Sequence, residues 1–173
     1  MFVGYVDKSG YGYTFDGKRI GRKLCDEGGE PVMREGEKVI GCIKVKYEVS
    51  VGRFLLNPLL YSYEGNFYRT NHRLIGVREP KAWEGVMRKG FELPTPGGIA
   101  DAWRTKEVAK AGGKEYFELA LNEIIKNEEG RGYILIQAPL EKKKKYWLTL
   151  WPSKAQQETL HDLLSTILPP DIG

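Results

Sequence analysis

The sequence predicts an α+β fold: a twisted, mainly antiparallel sheet with a C-terminal amphipathic helix. Three observations carry this expectation. Short stretches alternate apolar with polar residues, Gly- and Asp-rich turn signals separate them, and a single strong helical stripe stands near the C-terminus. An element that is apolar on one face must bury that face against another, so strands plus one helix imply a sheet with the helix laid on it.

Phe2 to Val6 is short and apolar, and Gly10 to Phe15 alternates large with small side chains before the tight-turn pair Asp16-Gly17. A glycine- and charge-rich loop from Asp26 to Gly36 leads into Lys38 to Glu48. There Ile43, Val45 and Tyr47 fall on one face, and Cys42, Lys44 and Lys46 on the other. Arg53 to Leu56 and Leu59 to Tyr63 are further strand candidates. Glu64-Gly65-Asn66 reads as a turn into Phe67-Tyr68-Arg69.

Leu93-Pro94-Thr95-Pro96-Gly97-Gly98 has linker chemistry, two prolines that stiffen the backbone and two glycines that release it. It sets a candidate organisation: a β-rich basic part over 1–93, a linker at 94–98, and an α+β part over 99–173. Ile99 to Ala111 has helix-forming composition. Glu115 to Glu129 fits both periods, with its Ala, Glu and Leu content and its length favouring helix slightly. Arg131 to Gln137 reads as a strand, and Lys143 to Trp151 as another. In the final helix, Ser153 and Gln156 form a capping box. Leu160, Leu163, Leu164, Ile167 and Leu168 recur as one apolar stripe that ends at Pro169-Pro170. Either the sheet or a second copy of the chain must cover that stripe, so a homodimer or a protein partner through this helix is one expectation.

Composition narrows the function classes. Hydrophobic residues at 41% and charged residues at 29% are ordinary for a soluble globular protein. No apolar run approaches a membrane span, and the N-terminus lacks the basic and apolar regions of a secretory signal, so the expectation is an intracellular protein, cytoplasmic or in the nucleoid or nucleus, with no membrane partner. Cys25 and Cys42 form no disulfide framework, and with two scattered histidines they make a poor zinc site. No phosphate-binding glycine loop, nucleophile elbow or zinc-protease motif is present, and no cofactor or metal is expected. The net charge of +4 is unevenly placed, because residues 1–93 hold 16 Lys/Arg against 12 Asp/Glu whereas residues 94–173 are balanced.

Two constellations carry chemistry. The first is Lys142 to Trp151, where lysines run into an aromatic strand. Alternation puts Tyr146, Leu148 and Leu150 on one face, and Lys143, Lys145, Trp147, Thr149 and Trp151 on the other. Cations beside exposed rings suit single-stranded nucleic acid, charge for phosphates and π-faces for bases. The same residues also suit an edge strand whose lysines prevent aggregation. Arg131 and Tyr133, on one face of the preceding strand, extend the mixture. The second is Tyr68-Arg69-Thr70-Asn71-His72-Arg73 with Trp83, Arg88 and Lys89 downstream, a set able to supply phosphate donors, base-edge donors and stacking groups. A solvated polar loop fits it equally. His72 has no acidic or nucleophilic partner at a recognisable spacing.

From Tyr116 onward, the text YFELALNEIIKNEEGRGYILIQAPLEKKKKYWLTLWPSKAQQETLHDLL resembles the repeat of the purine-rich-element-binding proteins and the related Whirly and transcriptional-coactivator folds. The resemblance lies in the Gly130-Arg131 turn, the strand Tyr133 to Ala138, the basic strand Lys143 to Leu150 and the helix Ser153 to Leu168. It implies a curved antiparallel sheet followed by one helix, paired units, and single-stranded DNA or RNA on the sheet, touched by Arg131, Tyr133, Lys145, Trp147 and Trp151. The chain departs in its dense lysine run and its ambiguous Glu115 to Glu129. The text GYVDKSGYGYTFDGKRIG with REGEKVIGCIKV also resembles part of a SPRY domain, a partner-binding β-sandwich. It lacks that family's preceding strands and its aromatic and Asn-Gly hairpin, which sets this second likeness aside. The expectation is a non-enzymatic binder of single-stranded DNA or RNA. A protein-interaction module or assembly subunit is the alternative, and an enzyme acting on nucleic acid comes third.

Overall fold

The computed structural model describes residues 1–14, 18–51, 63–79, 112–139 and 145–167, with Ser50, Val51 and Tyr63 by backbone alone. Ten strands form an antiparallel open sheet, and one helix follows them near the C-terminus. The strands are β1 (Phe2–Val6), β2 (Tyr11–Thr14), β3 (Arg19–Lys23), β4 (Val39–Val51), β5 (Tyr63–Thr70), β6 (Arg73–Arg78), β7 (Lys114–Ala120), β8 (Lys126–Gly130), β9 (Tyr133–Pro139) and β10 (Lys145–Trp151). The helix is α1 (Gln157–Leu164). Across the sheet the order is β3-β2-β1-β7-β6-β5-β4-β10-β9-β8.

The chain divides into two compact units, neither continuous in sequence. Met1–Phe2, Glu35–Gly76 and Glu118–Gly173 make the first, and Val3–Arg34 with Val77–Phe117 the second. The linker expected at 94–98, the helix at 99–111 and the strand candidates at 53–62 lie outside the described residues.

In the first unit, β10 is paired on both sides, to β4 and to β9. The edge-strand reading of its lysines therefore does not hold: an edge strand leaves one row of backbone groups open, and β10 leaves neither. Leu148 and Leu150 are fully buried at 0% exposure, on the face where β9 contributes Ile134 and Ile136 and β4 contributes Val45 and Tyr47. Burying each leucine contributes about 2 kcal/mol, and a slip of one residue would turn both outward.

Helix α1 lies on that apolar face. Leu160 and Leu164 are buried within the chain's own first unit, and Leu163 rests over Gly41 of β4, where an added Cβ would stand 2.4 Å from a leucine methyl. Ser153 donates its backbone N–H to the Gln156 Oε1 at 3.0 Å, the arm of the capping box that reaches back. The regular helix begins only at Gln157, after a turn through 154–156. At the other end Arg69 Nε donates to the Leu163 carbonyl at 3.1 Å and Nη2 to the Thr166 hydroxyl at 3.4 Å. A cation is favourable at a helix C-terminus, where unpaired carbonyls gather partial negative charge.

Two local expectations are overturned. Glu64-Gly65-Asn66 does not turn the chain; it lies inside β5, with Gly65 opposite Val45 and Asn66 opposite Lys44. The tertiary pairing with β4 overrides the turn-forming composition. Glu115 to Glu129 is not helical but forms β7, a 3-10 turn over Leu121–Glu123 and the start of β8. Tyr116, Phe117, Glu118 and Leu119 are all buried, so the strand reading of that stretch is the one realised, without a solvent-facing side at these positions.

The least expected element of the core is ionic. Arg73 is buried and its Nε and Nη2 hold both Glu37 carboxylate oxygens at 2.8 and 2.9 Å, while Nη1 donates to Glu118. The Thr70 hydroxyl lies 2.8 Å from Glu37 Oε2 and accepts the Arg73 backbone N–H at 2.9 Å. A guanidinium suits this position because its planar fork meets a carboxylate with two parallel hydrogen bonds. The second unit buries Tyr5, Val6, Leu24, Val77, Tyr116 and Phe117, and Arg78 Nε reaches Glu115 Oε2 at 2.6 Å.

Two predictions follow from these contacts. Arg73→Ala strips Glu37 and Glu118 of their shared cation and lowers the unfolding free energy by about 3–5 kcal/mol, measured by urea titration. His161 Nδ1 sits against Glu129 Oε1, and this hydrogen bond, reinforced by the carboxylate charge, raises the imidazole above its ordinary value. A raised folded-state value means that the pair stabilises the protein at low pH and loses that effect as pH rises through the titration. The NMR titration midpoint of His161 should lie above about 6.5 and return toward it in Glu129→Gln.

Candidate nucleic-acid interface

Directly opposed residues of an antiparallel pair share a face, so the registers assemble the other side of the first unit. Trp147 lies opposite Gln137, Thr149 between Glu48 and Leu135, and Trp151 opposite Lys46. One step beyond the last β10–β9 pair, Leu150 with Ile134, Tyr133 comes beside Trp151. Lys44 follows Lys46 on the same side of β4. The face therefore carries Lys44, Lys46, Trp147, Trp151 and Tyr133, with Lys145 exposed at the start of β10 and Arg131 exposed in the β8–β9 turn.

The face is not uniform. Its middle row is closed, with Thr149 at 1% and Glu48 at 7% exposure. Trp147 and Trp151 stand half-buried on either side of it. Four residues of strand put their Cα atoms about 13 Å apart, so they form two stacking positions rather than one continuous platform. Lys44, Lys46, Lys145 and Arg131 make no ion pair among the described residues. Glu64 stands opposite Lys46 on its other side, and Lys126 pairs with Glu128 at 2.7 Å, so the charge is mixed and the positive part gathers near Trp151.

Tyr133 is held over the hairpin rather than extended. A Cβ built at Gly130 would fall 2.0 Å from the Tyr133 Cζ, so the ring occupies space that only glycine leaves open. Together with Glu129, Pro152 and Gln157, this ring lines a recess at the end of the row.

Of the residues singled out by sequence, Arg131, Tyr133, Lys145, Trp147 and Trp151 are brought to one region. Tyr68, Arg69 and Arg73 are not, because all three are buried. Arg69 serves the end of α1, and its burial lowers the guanidinium below its usual value, with Nη1 lacking a hydrogen-bond partner. Arg73 serves the carboxylates described above. Asn71 and His72 are exposed at the β5–β6 turn, where Asn71 Oδ1 accepts the Lys38 backbone N–H at 2.8 Å. Lys143, Arg88 and Lys89 lie outside the described residues. Sequence reasoning missed Lys44 and Lys46 as members of the face. Their alternation was visible, but the adjacency of β4 and β10 was not.

Among the described residues no group of three or more His, Cys, Asp or Glu side chains is arranged to hold a metal ion, and no helix is long and apolar enough to cross a membrane. No protein-family model, curated protein or solved structure matches the chain. The geometry generates one prediction. In Gly130→Ala the Tyr133 ring must leave its place, shifting the aromatic NMR resonances of Tyr133 while the amides of β4 and β10 stay unchanged.

Proposed function

We propose that the chain is a non-enzymatic nucleic-acid-binding protein that favours single strands and contacts them through the Trp147/Trp151 face. One observation carries this reading: half-buried tryptophans share a sheet face with Lys44, Lys46 and Lys145, cations that form no ion pair among the described residues. Unpaired lysines release counterions when they meet phosphates, and indole faces stack on any base. Only an unpaired base presents its full π-face, which favours single strands over duplex. The resemblance of residues 116–168 to the purine-rich-element-binding repeat supports a ligand on the sheet rather than on the helix. The closed row through Thr149 implies that bases stack at two separated positions, with Lys46 and Arg131 serving the Trp151 position.

A second reading, docking of a protein partner, has its own observation. Val39 and Ile40 at the start of β4 are 47% and 58% exposed, an apolar pair at the β4–β5 irregularity.

Trp147→Ala and Trp151→Ala should each weaken oligonucleotide binding by about 1–3 kcal/mol. A triple replacement of Lys44, Lys46 and Lys145 by Gln should make the dependence of log K on log salt shallower. Gel shifts with single- and double-stranded DNA and RNA at two salt concentrations measure both effects. Tryptophan fluorescence left unquenched by oligonucleotide at low salt overturns the proposal.

A further inference from the structure

A second cationic and aromatic surface lies in the other compact unit, on the ribbon of β2 and β3. The segment Lys18 to Lys23 reads KRIGRK, and Lys18, Arg19, Arg22 and Lys23 are all exposed. Register places Tyr13 opposite Arg19 and Tyr11 opposite Lys23. Four steps along β3 thus match two along β2, and the ladder absorbs the excess in a bulge. Gly21 sits there at φ +73°, a left-handed backbone that side chains other than glycine adopt rarely.

The bulge has an electrostatic consequence. It draws Arg19 and Lys23 onto one ring, with the Arg19 guanidinium 4.2 Å and the Lys23 ammonium 6.0 Å from the Tyr11 centroid. The two charges are therefore within roughly 10 Å of each other, about one Debye length at 0.1 M salt, and they repel. Neither forms an ion pair among the described residues. Asp7, just before this ribbon, is occupied: it accepts the Tyr13 hydroxyl at 3.0 Å and the backbone N–H groups of Ser9 and Tyr11. Two like charges held together on an aromatic face, with no ion-pair partner among the described residues, form a place where an anion relieves repulsion.

We propose that this ribbon is a separate contact for the phosphate backbone of a nucleic acid. The Tyr11 ring holds the guanidinium of Arg19 in place by cation–π attraction, so its fork meets phosphate oxygens with little ordering left to do. Lys23 supplies a second, mobile point charge. The geometry disfavours a lipid surface, because the aliphatic side chain of β3, Ile20, is turned toward Gly12 and leaves nothing to insert among acyl chains. Added strands are disfavoured too, since cations flank this sheet edge. The contact is independent of the tryptophan face and carries no base preference.

The test uses the full chain and three proteins: wild type, the Arg19→Gln/Lys23→Gln double variant and the Trp147→Ala/Trp151→Ala double variant. Circular dichroism confirms folding, which these exposed replacements should leave intact. Each is titrated with labelled single-stranded and duplex oligonucleotides of roughly 16 nucleotides over a series of salt concentrations. Loss of two phosphate contacts should make the slope of log K against log salt shallower by about 1.4 for single strands in the Arg19/Lys23 variant. The Trp variant should keep the wild-type slope at lower affinity. An unchanged slope in the Arg19/Lys23 variant overturns this inference while leaving the tryptophan face standing. Loss confined to that variant supports this inference and removes the tryptophan reading. Absence of all binding by wild type overturns both. Binding of phosphatidylserine vesicles that depends on Arg19 and Lys23, without any effect on oligonucleotides, also overturns it.

Discussion

The register of β10 between β4 and β9 is the constraint on which the first unit depends. Side chains alternate strictly along a strand, so fixing Tyr146 opposite Val51 and Ala138 fixes every other neighbour. It sends Leu148 and Leu150 to the side that α1 covers, and Trp147 and Trp151 to the side it does not. Helix α1 reinforces the same choice, because Leu160, Leu163 and Leu164 need that apolar face and could not use the other, which carries Lys44 and Lys46. The candidate interface is in this sense the remainder of the core. Its cations and rings share a face because the leucines between them had to share the opposite one.

Much of this was legible along the sequence, and the illegible part has a physical pattern. Alternation in β4 and β10 was readable because a half-buried strand writes a period of two into its residues. The terminal helix was readable because a cap, a stripe and a proline stop agree with one another. What local sequence does not encode is which strand lies beside which. Lys46 meets Trp151 across about a hundred residues, and no local signal marks that pairing. Gly65 shows the same limit from the other side: its neighbours spell a turn, yet pairing with Val45 keeps the strand running. The Glu115 to Ala120 stretch has helix-forming composition, and sheet pairing with burial of Phe117 and Leu119 overrules it. Propensity worth a few tenths of a kcal/mol per residue does not survive against burial worth about 2 kcal/mol per side chain.

The site residues divide along the same line. Alternation alone assigns the face of Trp147, Trp151 and Tyr133, which is why their side of the sheet could be read in advance. Arg69 and Arg73 looked like phosphate donors because a sequence shows that a cation is present but not what neutralises it. The partners of Arg73 lie in Glu37 and Glu118, on either side of it in the chain and far from it, and Arg69 answers to the end of a helix nearly a hundred residues later.

These arginines also explain why counting charge misjudges a surface. Arg69, Arg73 and Arg78 all lie within the basic part over 1–93, and all three are buried. Burial selects arginine there for a reason. The guanidinium is weakly hydrated and offers directional donors, so carboxylates or helix carbonyls can replace much of its water. Lysine, a compact and strongly hydrated charge, is left for solvent, as at Lys44, Lys46 and Lys145. Four arginines stay exposed among the described residues, Arg19, Arg22, Arg34 and Arg131. Arg19 is one, and it is stacked on Tyr11 rather than left in water. A guanidinium already ordered on a ring, with a second cation drawn toward the same ring by a bulge, differs from a lysine placed to keep an edge soluble. Edge protection also uses bulges and cations, but it does not require a guanidinium and an ammonium to converge on one ring, and that convergence is what a phosphate contact would use.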